Sequence, residues 1–391
     1  MKLGYAVVSS IAILLWCQAD ACGQVAAFGP KTIAVGRCVA PDGHLKRNVV
    51  IELDQGKIRS VAFDRPGPDG GDGVSFPDAV VTAGLIDVRS QVGAFGNVVE
   101  TVNSIDPDAS AIDAIDWNHR DFRAAIRAGV TTVMVAPAPN NLVAGVAATV
   151  KTAQNSGFSP VLRDAGPMLL ALGPSVWSYD RAPTSRTGSL RMLSDELDQA
   201  AAGGGSARLQ SLVGGKLHGL VVCAEAMDVS SALHLFADRQ LAVAIAYNGA
   251  EHDLGDELTR LASAVVVGPY SFSMTPHHLA TAGVLAASGV PVAFSANLPE
   301  TPAESLRMTA ALAVRYGMDA AAARRAMTVT PALIAGVSNR VGSIHPGMDA
   351  DLVIFSDDPL RLDARVLEVY VDGIRVFAAS PAGITSTGAS S

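Results

Sequence analysis

Arg89 and Gln91 stand two residues apart at the end of an apolar run, in the segment VTAGLIDVRSQVGAFG (81–96). The run reads as a strand entering a loop. Alternate strand residues share a face, which puts Asp87, Arg89 and Gln91 together at one strand end. Arginine is permanently cationic and has no lone pair for a metal, and glutamine offers only a neutral carbonyl. Asp87 has two readings, orienting its strand-end neighbours or capping the following loop through backbone hydrogen bonds, and capping is the one we favour. Three further groups invite chemistry: Lys151 in ATVKT, His277 beside His278 in TPHHLA, and Asn297 in AFSAN. The two histidines read as the exposed first turn of a helix. Neighbouring helical residues diverge by about 100°, so the pair is ill placed to share one ion. Asn297 cannot accept a proton at neutral pH. His119, His234 and His252 fall on helices or turns, and H-E-x-x-H, G-x-S-x-G and phosphate-loop patterns are absent.

The elements that must position these groups alternate. From residue 81 to about 337, apolar β runs are followed by amphipathic helical ones. HRDFRAAIRAG, closed by Gly129, leads to VTTVMVAP; DVSSALHLFADRQ leads to LAVAIAY; DLGDELTRLASA leads to VVVGP; and TPHHLATAGVLAASG leads to PVAFSAN. TPAESLRMTAALAVRYG carries Thr301 as N-cap, Pro302 at the first helical position and Glu304 to complete a capping box. Strands alternating with helices of this length predict a parallel α/β sheet, and so many units predict a closed (β/α)8 TIM barrel over 81–337. Both ends are β-rich, with Pro-Asp-Gly and Asp-Gln-Gly as hairpin signals. Residues 30–80 and 338–378 are therefore expected to pair into one small composite β-sandwich domain. The stretch 65–73 reads as a surface loop and 379–391 as a disordered tail.

Several segments together resemble the amidohydrolase superfamily, and in particular its imidazolonepropionase-like branch. GLIDV (84–88) is similar to the family's first barrel strand. AGVTTVMVAPAPNNLVAGVAATVKT (128–152), APTSRTGSLRML (182–193) and TVTPALIAGVSNRVGSIHPGMDADLVIFSDDP (328–359) match that branch in order and spacing. The resemblance spans roughly residues 30–378 and implies metal-assisted hydrolysis of C–N bonds in a cyclic amide or related small substrate. It also implies where the metal ligands belong. Arg89 and Gln91 occupy the two histidine positions of the first strand. Ala224 stands where a ligand histidine is expected, and Asn248 where histidine is frequent. Asn297 replaces the aspartate that binds metal and serves as general base. Lys151 matches a lysine that is carbamylated in related enzymes to bridge two metals. The resemblance thus implies an emptied site, ringed by Arg89, Gln91, Lys151, Ala224, Asn248 and Asn297, with the ancestral zinc or other divalent metal lost. An ion pair of Arg89 with Asp87 or Glu225 would stabilise it.

The 391-residue chain is 49% hydrophobic and 17% charged, as befits a large globular core. Its net charge of −8, without a basic run, argues against nucleic-acid or anionic-membrane partners. Lys2, the apolar run Tyr5–Trp16 and Ala19-Asp20-Ala21 read as an export signal over residues 1–21, too short to remain as a membrane anchor. That places the mature chain in a periplasm or outside the cell, with lipidation at Cys17 or Cys22 disfavoured by the residues before them. Four cysteines without a C-x-x-C pair give no disulfide framework. Three functional readings follow. The first is a catalytically impaired amidohydrolase-fold protein that keeps a small-molecule pocket. The second is a relocated-site hydrolase using Lys151, Asp87 or His277. The third is a binding or scaffolding subunit, homo-oligomeric or paired with an active paralogue.

Overall fold

The computed structural model describes residues 30–64, 73–154, 157–249 and 254–380. The expected export signal, His252 and most of the expected surface loop and tail lie outside these residues. The amino-terminal strands are β1 (Thr32–Val39), β2 (Leu45–Asp54), β3 (Lys57–Ala62) and β4 (Gly73–Ala83). Then come β5 (Leu85–Ser90), β6 (Val130–Val135), β7 (Val143–Val146), β8 (Ala148–Lys151), β9 (Val161–Arg163) and β10 (Met168–Leu172). They are followed by β11 (Gly219–Cys223), β12 (Val243–Ala246), β13 (Ala262–Val267) and β14 (Val292–Phe294), with β15 (Leu352–Phe355), β16 (Val366–Val371) and β17 (Ile374–Ala378) closing the chain.

The two ends meet in one seven-stranded sheet of order β17-β16-β15-β4-β1-β2-β3. It is a single sheet rather than a sandwich, and Ile344, Met348 and Ala350 of the returning segment share its core. Asp-Gln-Gly makes the β2–β3 hairpin, with Gln55 and Gly56 both at positive φ, as the tight turn that matches strand twist requires. Asp372 and Gly373 do the same between β16 and β17. The sheet ladder runs to Ala83, opposite Leu352, so β4 continues past the expected boundary at residue 80.

The central region is α/β, but its ladder divides into two sheets, β14-β13-β12-β11-β10-β7 and β5-β6-β8-β9. Strands β10 to β14 are parallel, as are β5 and β6, whereas β7, β8 and β9 join antiparallel. A continuous closed ladder, expected from the alternation, is not what the described residues form. Part of the reason lies in VAGVAATVK, a run that reads as β throughout but parts at Ala147 into β7, paired with β10, and β8, paired with β6. Alternation along the strands sorts two cores. Ile86, Met134, Leu169, Leu220, Ala244, Val266 and Ala293 pack with one another inside. Val133, Leu170, Val221, Ile245, Val265 and Phe294 face helices that contribute Phe122, Leu193, Phe236 and Leu285. Each such side chain contributes about 1.5–3 kcal/mol on burial. Gly84, ahead of β5, has no room for a side chain: a Cβ there would lie 1.8 Å from Thr131 Oγ1.

Helix Arg120–Arg127 ends as expected, with Gly129 at φ 84°. The helix expected from Thr301 instead spans Ser305–Arg315, and the Glu304 N-cap makes no side-chain cap bond. Thr301 is used elsewhere, its hydroxyl donating to the carbonyl of Ala296. No helix of the described residues is long and apolar enough to cross a membrane.

Candidate functional site

The carboxyl ends of β5 and β14 are held together by one buried carboxylate. Asp87 Oδ1 accepts from the Ser295 hydroxyl at 2.6 Å, the Ala296 amide at 3.2 Å and, more weakly, the Arg89 amide at 3.4 Å. Its Oδ2 accepts from the Leu298 amide at 3.1 Å. Further bonds run along the same seam: the Gln91 amide to Leu298 O at 2.6 Å, and the Ser295 hydroxyl to Arg89 O at 3.1 Å. Burial pushes the Asp87 pKa above the usual carboxylate range, and these donors partly offset it. The carboxylate does cap a loop, but chiefly the 295–298 loop that follows β14 rather than the one after its own strand. With its oxygens occupied, it orients the seam and has little capacity left to serve as a base.

Around this seam lie the other strand-end positions. Arg89 is half-buried, its Nε has no hydrogen-bond partner, and it forms no ion pair within 4 Å among the described residues. Burial lowers its pKa, against the attraction of Asp87 and Glu300. The expected Arg89 pairs with Asp87 or Glu225 are therefore not formed. Glu225 is held instead by Arg186, whose guanidinium also reaches Asp228 at 2.7 Å and lies 6.0 Å from the Trp177 ring centroid. Ala224 is exposed beside this clamp, just past β11. Asn248 accepts from the Gly268 amide at 3.3 Å and meets His278 Nε2 at 3.5 Å, with the His278 ring edge-on to Tyr270. It is thus His278, rather than the expected His277, that reaches a strand-end residue. His277 is exposed in the first helical turn. Asn297 sits at φ 54° and donates to Glu300. At the same end, a cavity of about 200 Å³ is lined by Asn97, Glu100, Asp106, Ser110, Pro137 and Ala144.

Lys151 is not part of this cluster. Strand β8 runs antiparallel to β6, with Lys151 opposite Thr132 and Ala148 opposite Val135. On the other side of β6, Thr132 faces Ile86 and Val135 faces Ser90. Lys151 therefore lies toward the amino ends of β5 and β6, away from Arg89 and Gln91. There its buried ammonium contacts Asp349 at 2.8 Å, Asp351 at 3.0 Å and Asp372 at 2.5 Å. Burial opposes its charge, but the three carboxylates outweigh that and raise its pKa. Asp349 also binds Lys57 and Arg340, each at 2.7 Å. Burial pushes Asp351 up to about 6 despite Lys151, and its Oδ2 has no donor. The strand direction, invisible in the V-K-T motif, is the physical reason for the displacement.

Residues 307–377 match the sequence profile of the Amidohydrolase family. The chain is 35% identical over 79 residues to amidohydrolase tasK of Hapsidospora irregularis, a match covering 20% of this chain and 8% of that protein. It is 39% identical over 101 residues to an imidazolonepropionase of Chloroflexus aggregans, covering 25% and 24% respectively. An amidohydrolase from Thermotoga maritima has the same fold, with a TM-score of 0.79 at 23% identity, over 89% of this chain and all of that one. These partial sequence matches, together with the shared fold, support an amidohydrolase-superfamily, imidazolonepropionase-like relationship. The matched portion spans no more than a quarter of either curated relative's length.

An amidohydrolase metal needs imidazole or carboxylate lone pairs at the strand ends. In this chain those positions hold a guanidinium, two amides, one more amide-bearing turn residue and a methyl group, at Arg89, Gln91, Asn248, Asn297 and Ala224. The nearby carboxylate, Asp87, already accepts four hydrogen bonds, three of them from the 295–298 loop. No three His, Cys, Asp or Glu side chains among the described residues are grouped to hold a metal ion. These residues do not fit a catalytic metal. What sequence reasoning missed is the Asp349–Asp351–Asp372 set around Lys151. Two of these acids stand in the G-M-D-A-D motif and the third in an Asp-Gly turn, but only the fold brings them to one lysine.

Proposed function

We propose that this chain is an exported amidohydrolase-fold protein, built as a barrel with a small composite β domain, that has lost metal-assisted C–N hydrolysis and retains a strand-end pocket for a small molecule. The single observation that supports the reading most is the donor set. None of the five ligand positions carries an imidazole or carboxylate, and the two buried carboxylates nearby are engaged, Asp87 by the 295–298 loop and Asp228 by Arg186. A cation placed there would face the permanent positive charge of Arg89 without ligands to replace its water. Removal of residues 1–21 on export belongs to the same proposal and is motivated by the sequence alone.

Elemental analysis of the purified full chain is the direct test. Protein free of bound zinc and other divalent transition metals after dialysis is the expected result; stoichiometric zinc would overturn the proposal. A relocated hydrolytic site using Lys151, Asp87 and His277 has less support. Asp87 is tied to the β14 loop, Lys151 to three aspartates near the opposite strand ends, and His277 lies in an exposed turn.

A further inference from the structure

We infer that the cavity between helix Arg120–Arg127 and helix Ser305–Arg315 binds an organic phosphate, a phosphate monoester with an apolar body. This cavity, of about 380 Å³, is lined by Arg127, Arg307 and Arg365, by Glu304, and by the apolar side chains of Met308 and Leu362. Its volume falls in the range of small-molecule sites. It lies between the two helices and β16 of the seven-stranded sheet. None of the strand-end residues lines it, and it does not depend on the loss of a metal.

Arg307 is the fixed element of the cavity. Its Nε donates to Pro359 O at 3.0 Å, its Nη2 donates to Arg361 O at 2.9 Å and Ala364 O at 2.8 Å, and its guanidinium lies 4.9 Å from the Phe355 ring centroid. Three carbonyls and a ring face hold the plane in one orientation, so little side-chain freedom remains to be lost on binding. Its Nη1 makes no hydrogen bond among the described residues, yet it is not shut away from solvent. Burial works against this charge and lowers the Arg307 pKa, so a counter-ion is favourable there. Arg127 and Arg365 are exposed in the same cavity. The acids of the adjoining loop are already taken: Asp357 by Arg37 and Arg361, Asp358 by Arg324 and Asp363 by Arg361. Among the described residues none of the three lining arginines forms an ion pair. Three guanidiniums against Glu304 alone leave an excess of two positive charges, in a chain of net charge −8. A phosphate monoester carries a charge of about −1.5 to −2 at pH 7 and offers three acceptor oxygens, which guanidinium forks match. Leu362, which is 59% exposed, and Met308 supply an apolar surface for the organic body.

Calorimetric titration of the full chain with phenyl phosphate, inorganic phosphate, benzenesulfonate and phenol tests the inference. Phenyl phosphate is expected to bind, inorganic phosphate and the monoanion benzenesulfonate more weakly, and phenol not measurably. The double variant Arg127→Gln, Arg365→Gln abandons no ion-pair partner and is expected to weaken phenyl phosphate by about tenfold or more. Glu304→Gln removes the competing carboxylate and is expected to tighten it, which gives a second reading should the double variant fail to fold. Phenyl phosphate that binds no better than phenol, or whose affinity is unchanged in both variants, would overturn the inference. Inorganic phosphate or benzenesulfonate binding as tightly as phenyl phosphate would overturn the choice of an organic phosphate.

Discussion

Lys151 and Arg89 are both cations drawn out of water, and they are treated in opposite ways. Lys151 is fully buried among three carboxylates, two of them shared with no other cation, while Asp349 also holds Lys57 and Arg340. Arg89 is half-buried with no ion pair among the described residues and an orphaned Nε. A buried charge is tolerated when paired and destabilising when alone. The first arrangement is therefore structural: it joins β8 to the turn before β15 and to the β16–β17 hairpin. The second leaves interaction energy unspent at the end of the fold where ligands bind.

The comparison breaks most readily at Lys151. Lys151→Met leaves Asp351 and Asp372 without their cation, Asp349 keeping Lys57 and Arg340, and should lower unfolding free energy by about 3–5 kcal/mol, measured by urea denaturation. A loss under about 1 kcal/mol would show that the cluster is not structural. A smaller, pH-dependent effect belongs to Asp351, whose pKa rises in the fold from the usual 3.8 to about 6. A carboxyl raised on folding binds more protons in the folded state, so it contributes stability below about pH 4 that is lost as pH rises toward 6. Asp349, held low by its cations against burial, works in the opposite sense, contributing stability that is lost as pH falls. Asp351→Asn should therefore remove a decline of a few kcal/mol between pH 4 and 6 and gain most, relative to the wild type, above pH 6. Identical pH profiles for the two proteins would sink this assignment. The smallest effect is expected at Arg89. Arg89→Met should leave stability within about 1 kcal/mol of the wild type, or raise it, because no partner is abandoned. A loss as large as that of Lys151→Met would make Arg89 a structural residue and erase the contrast.

Much of this was legible along the chain. The GLIDV segment, the hairpin signals and the alternation of β runs with helices give the α/β class and the pairing of the two ends, because each is a local pattern of period, turn residue or cap. Asp87 was legible as a loop cap, although not which loop, since the 295–298 amides are distant in sequence. The start of the 305–315 helix was misplaced because Thr301, a good N-cap locally, is recruited by the Ala296 carbonyl. The division into two sheets escaped detection, because β7 and β8 read as one run, whereas the chain leaves one sheet and enters the other at Ala147.

By itself the sequence determined the chemistry available at the strand ends: an arginine has no lone pair for a metal, and a glutamine and two asparagines offer only neutral carbonyl oxygens, weak ligands for zinc. Family and α/β architecture were likewise written in local motifs. Tertiary structure alone decided which charges meet. Lys151 reads in sequence as a companion of Arg89, yet an antiparallel β8 carries it toward the other strand ends, where Asp349, Asp351 and Asp372 converge on it. Charge pairing depends on distances across the sheets, and strand direction, which no local motif encodes, sets those distances.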